Sequence, residues 1–138
     1  MKAVSMIIEY SLLFMFGIII FISCVSVFSS YDAYFNSVSV NDHLTEVNEY
    51  VKSSIIKLAE TGSGEDSSVN LGIPKKIGNE NYMIELSNNG LNVTSVNTRV
   101  SKYSSLYNLN GTYSFSGKVL STAGSVIIYK TGNQIIIS

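Results

Sequence analysis

The chain has 138 residues, with 9 basic and 10 acidic side chains and a formal net charge of −1. That length suits one domain plus an anchor, and the mild charge distribution, with no basic patch or stripe, argues against a nucleic-acid partner. A single cysteine, Cys24, rules out an intramolecular disulfide, and a lone His43 without Cys or His companions argues against a zinc site.

Residues 10–31 carry no charge and are long enough to cross a bilayer as a helix, for which about 20 apolar residues suffice. Ser11, Ser23 and Ser26 are tolerable there, because a serine hydroxyl can bond back to its own helix backbone. Lys2 precedes the run and Asp32 follows it, a bias that predicts the amino terminus inside and the bulk of the chain outside. A conventional signal peptide has a basic start, an apolar core of about 7–15 residues and a small-residue cleavage site. Here the apolar run is longer, Glu9 cancels Lys2, and Ser26-Val27-Phe28-Ser29-Ser30 is a poor cleavage site, so the segment is expected to stay on the mature protein. Glu9 is the one charge set against this run; near a membrane face its cost is small, and in a helix bundle it could pair with a positive group on another chain.

The run Lys2-Ala3-Val4-Ser5-Met6-Ile7-Ile8-Glu9 resembles the start of archaeal type IV pilin-like proteins, which read basic residue, Ala or Gly, then V-S-P-V-I-G and a hydrophobic helix. The resemblance covers the first thirty residues. It implies a short leader, residues 1–3, cut by a prepilin peptidase between Ala3 and Val4, and an apolar helix that builds the core of a surface filament. The partners it implies are copies of this chain or related pilins, the prepilin peptidase, a pilus assembly ATPase with its membrane platform, and membrane lipid. Two positions depart from the pattern. Met6 replaces the usual proline, and Glu9 stands one residue beyond the fifth mature position, where bacterial type IV pilins carry a glutamate.

Residues 31–60 contain no Pro or Gly, and Val40, Leu44, Val47, Val51, Ile55 and Leu58 recur at helical spacing. One amphipathic helix continuing from the apolar run is expected, residues 4–60, roughly 85 Å at 1.5 Å per residue. Weak helix formers at 36–41 predict a bend there. Residues 61–68 read as a linker, with Gly62 as a helix cap.

From residue 69 the pattern turns to strands. Tyr82-Met83-Ile84-Glu85-Leu86 and Leu91-Asn92-Val93 alternate about Asn88-Asn89-Gly90, which predicts a type I′ hairpin. A second hairpin is expected from Ser125-Val126-Ile127-Ile128-Tyr129 to Gln134-Ile135-Ile136-Ile137, turning at Lys130-Thr131-Gly132-Asn133. Residues 96–100 and 112–120 are two further strand candidates. The fold class is therefore α+β: a long helix, membrane-spanning in its first half and amphipathic in its second, covering an antiparallel sheet over residues 69–138.

No nucleotide loop, nucleophile elbow or acid–histidine–nucleophile set is present, so neither a catalytic role nor a cofactor is expected. Lys75-Lys76 reads as a solvated turn, and Glu65-Asp66 as too few oxygens for a cation. Tyr103, Tyr107 and Tyr113 are candidates for a carbohydrate-contacting surface or for sheet-edge cover. Asn92-Val93-Thr94 and Asn110-Gly111-Thr112 are N-glycosylation triplets, meaningful if the domain lies outside the cell; Asn92 beside a turn and Asn110 in a loop are both expected to be reachable. Three functions follow as alternatives: a major or minor subunit of a surface filament for adhesion or motility; a single-pass anchored extracellular module that never polymerises; and a secreted enzyme freed near Ser30, for which no catalytic constellation speaks.

Overall fold

The computed structural model describes residues 2–61 and 66–138, the side chains of residues 2–4 excepted. Gly62 and Glu65, read above as a helix cap and half of an acidic pair, lie outside the described residues. Among the described residues one α-helix, α1 (Lys2–Glu60), is followed by seven strands, with a short 3-10 turn (Ser121–Ala123) between the fifth and sixth: β1 (Ser67–Gly72), β2 (Tyr82–Ser87), β3 (Gly90–Ser95), β4 (Ser101–Ser104), β5 (Ser114–Leu120), β6 (Ser125–Thr131) and β7 (Gln134–Ile137). The chain divides after Val38 into two units. The described residues of the first are all helical, and every described side chain from residue 5 to Val38 is exposed.

The second unit begins at Ser39 and contains the core. The expected stripe is inward throughout: Val40, Leu44, Val47, Val51, Ile55 and Leu58 are all buried. Against them stand the inward phases of the strands, among them Tyr82, Ile84 and Leu86 from β2 and Val126 and Ile128 from β6. Burying each such aliphatic side chain contributes about 1.5–3 kcal/mol, which offsets the entropy of ordering a helix that has few internal ion pairs. Helical backbone continues through 36–41 despite the weak propensities there.

The sheet order is β1-β6-β7-β5-β2-β3-β4. All neighbours are antiparallel except β5 and β7, which run parallel from Ser114↔Gln134 to Gly117↔Ile137. Gly117 makes this approach feasible: its φ is +132°, and a Cβ there would meet the Ile137 carbonyl oxygen at 2.2 Å.

Several local expectations are corrected. The 96–100 segment is a turn, and the edge strand forms later, at Ser101–Ser104. Arg99 adopts φ +56°, which no strand accommodates, and Thr98 is drawn to the Glu80 carboxylate at 2.9 Å. β1 starts inside the expected linker, at Ser67, because β6 offers it a six-residue antiparallel register. The first hairpin turns tightly at Asn88-Asn89, with Ser87 opposite Gly90, but it is not type I′. Among the described non-glycine residues only Arg99 has positive φ, so Gly90, at +145°, takes the unusual backbone and both asparagines stay in ordinary space. In the second hairpin Lys130 and Thr131 are strand residues, and only Gly132 and Asn133 turn.

Candidate functional site: the exposed amino-terminal helix

Residues 5–39 of α1 present an unbroken exposed surface in which Ile7, Leu13, Phe14, Phe16, Phe21 and Phe28 are all more than 60% exposed. Isolated exposed apolar residues are ordinary, but a helix apolar on every side is stable only in lipid or against other helices. By length and composition α1 contains a candidate membrane span. Of the serines expected to bond back to the helix, Ser23 does so, donating to the Ile19 carbonyl at 2.8 Å, and Ser30 donates in the same way to that of Ser26 at 3.0 Å.

The apolar run is bracketed by aromatics. Tyr10 stands at one end. At the other, Phe35 lies 6.5 Å from Tyr31 and 6.1 Å, edge-on, from Tyr34. From Tyr10 to Tyr31 is about 31 Å of helix, close to the roughly 30 Å of hydrocarbon in a bilayer. Tyrosines at that separation match the amphipathic belts found at both faces of a membrane. The signal was present in the sequence as Tyr31 at the end of the apolar run and Tyr34 and Phe35 just past it, and periodicity alone passes over it.

Ala3 and Val4 fall within the helical span of α1, and their side chains are outside the described residues. Glu9 is exposed on the apolar helix and has no ion pair or hydrogen bond among the described residues. A carboxylate so placed is free to meet a cationic group from another chain, an interaction worth far more in an apolar bundle than in water. Cys24 is likewise exposed on the helix.

The remaining candidates sit on the second unit and do not converge. The three tyrosines do not share a surface. Tyr113 is a core residue whose hydroxyl donates to the Ala59 carbonyl at 3.0 Å; Tyr103 lies on β4 and donates to the Asn89 carbonyl; Tyr107, 82% exposed, rims an open groove of about 440 Å³ beside Lys52, Ile56 and Glu60. His43 is exposed and pairs with Glu46 at 3.2 Å. Lys75 and Lys76 are exposed, as is Asp66. Among the described residues no three His, Cys, Asp or Glu side chains come together as metal ligands.

Two polar groups that the sequence reading passed over organise this unit. Asn48, on the inward side of α1 and 2% exposed, donates from Nδ2 to the Lys102 carbonyl of β4 at 2.8 Å. The helix thereby holds the edge strand. Lys130, 1% exposed, has its ammonium 5.6 Å from the Tyr113 ring centre. Alternation with Val126 and Ile128 places Lys130 inward, at the position where the turn was expected to begin. Comparison with family models, with curated proteins and with solved structures finds no match to this chain.

Proposed function

We propose that this protein is a subunit, major or minor, of an archaeal type IV pilus-like surface filament. In this reading a prepilin peptidase removes residues 1–3, and the exposed helix first resides in the membrane with the β-unit outside. An assembly ATPase and platform then extract it into a bundle of like helices. The observation that carries the reading is the continuity of α1: one helix runs from an all-round apolar, exposed segment into a one-sided stripe covering a sheet. The amino-terminal run Lys2-Ala3-Val4-Ser5 supports it at the level of resemblance. Adhesion and motility are both open to such a filament.

The aromatic bracket favours a second reading: a permanent single-pass anchor carrying an outer β-unit that does not polymerise. The first measurement is the mass and amino-terminal residue of the protein from native membranes. A chain starting at Val4 supports peptidase processing. A chain keeping Lys2 and Ala3 leaves the anchor. Replacing Ala3 with a bulky residue such as Phe should block maturation in the filament reading and change nothing in the other.

A further inference from the structure

The two glycosylation triplets stand in opposite surroundings. Asn92-Val93-Thr94 is in the middle of β3, hydrogen-bonded to β2 on one side and β4 on the other. Asn92 is half-buried, in register with Glu85 and Tyr103, and Val93 between the acceptor and its threonine is fully buried. An enzyme that must hold Asn and Thr of the triplet together could reach this one only by stripping β3 from both neighbours. Asn110-Gly111-Thr112 lies in the connection between β4 and β5, and all three residues are exposed. Nothing lies within 4 Å of where a Gly111 side chain would begin, so the space beside the triplet is open. The connection is held at both ends, by buried Leu106 and by Tyr113 bonded to Ala59, so the triplet is displayed on an anchored loop.

We propose that Asn110 is the N-glycosylation acceptor of the folded protein and that Asn92 is not modified once the sheet has formed. The donor class is a lipid-diphosphate-linked oligosaccharide brought by a membrane oligosaccharyl transferase. The Asn110 amide nitrogen bonds to the anomeric carbon of the sugar, the bond from that carbon to the diphosphate oxygen breaks with its electrons leaving on the lipid diphosphate, and one amide proton passes to a base of the transferase. In the structure Asn110 Nδ2 donates to the Asn88 carbonyl. The product is a secondary amide that keeps one N–H, so one hydrogen remains on that nitrogen to donate to the β2–β3 turn. The inference rests on the proposed outside location of the β-unit and on no other part of that reading.

The test uses full-length protein from its native membranes, measured by intact mass and glycopeptide sequencing, with Asn110→Gln, Thr112→Ala and Asn92→Gln variants. Thr112→Ala keeps the asparagine and its Asn88 contact while destroying the triplet, so it separates loss of the acceptor signal from loss of the fold. The expected result is a sugar mass on Asn110 that vanishes in the first two variants and persists undiminished in the third. Sugar on Asn92, or none on either residue, overturns the proposal. The same spectra give the amino terminus. A mature chain starting at Val4 with bare Asn110 overturns only this inference, whereas modified Asn110 on a chain keeping Lys2 and Ala3 upholds it and removes the filament reading.

Discussion

At the scale of single residues, charge and backbone freedom decide most. Glu9 is exposed on an apolar helix with no partner among the described residues. If it fixes axial register between helices, Glu9→Gln should leave membrane insertion intact and sharply reduce filament yield; normal filaments from that variant would remove the role. Glu80 joins two turns: its carboxylate accepts from the Ser95 hydroxyl and from Thr98. The Ser95 hydrogen bond foremost, with Thr98, holds its carboxyl below the ordinary 4.5, against a smaller opposing effect of burial. The folded state therefore binds that proton less well than the unfolded chain. The resulting stability is complete above the ordinary value and is lost as pH falls through the lowered one. Denaturation measured from neutral to acid pH should show a shallower loss in Glu80→Gln than in the parent chain. At the alkaline end burial pushes the Tyr82 hydroxyl up to about 12 from 10.0. Folding holds it protonated, and this contribution to stability fades as pH climbs from 10.0 towards 12. Gly117 is the sharpest backbone case. Gly117→Ala would drive a methyl into the Ile137 carbonyl at a φ that suits only glycine, and a loss of several kcal/mol, about 2–4, is expected in denaturant unfolding, with the β5–β7 pairing the first to open.

At the scale of elements, α1 and the sheet depend on each other. The stripe from Val40 to Leu58 has no stable place in water without the sheet, and it shares one buried cluster with the sheet's apolar face. Ile55→Ala should cost about 2–5 kcal/mol, as for other fully buried aliphatic truncations. Asn48→Ala tests a different bond. It removes the donor to Lys102 and leaves that carbonyl short of a partner, for about 1–3 kcal/mol. Hydrogen exchange should show the effect first at β4, the four-residue edge strand that Asn48 ties down. The elements themselves were legible where a single pattern ran unbroken: helical spacing in the stripe, alternation in β2 and a continuous apolar run in β6. Register was not. The shift of the edge strand from 96–100 to 101–104 follows from Glu80 gathering Ser95 and Thr98, a contact between segments that no local pattern encodes.

At the scale of the whole molecule, the chain has two units with opposite relations to water: one with every described side chain exposed although mostly apolar, the other with a closed core. Residues 39–138 expressed alone should be soluble, monomeric and cooperatively unfolding, while the full chain should require detergent or assembly. Aggregation of that fragment in detergent-free buffer would show that the second unit does not fold on its own. Of the candidate positions, the apolar run and both glycosylation triplets were readable directly, because hydropathy and a three-residue motif are local. By itself the sequence determined that a long helix joins a membrane-length apolar segment to an amphipathic stripe ahead of a β-region, since side-chain spacing along one helix needs no outside contact. Only the tertiary structure decided which triplet is reachable, that Tyr113 and Lys130 belong to the core, and that β5 and β7 run parallel. Each of these depends on residues far apart in the chain competing for the same interior face, and that competition is settled only when the sheet closes over the helix.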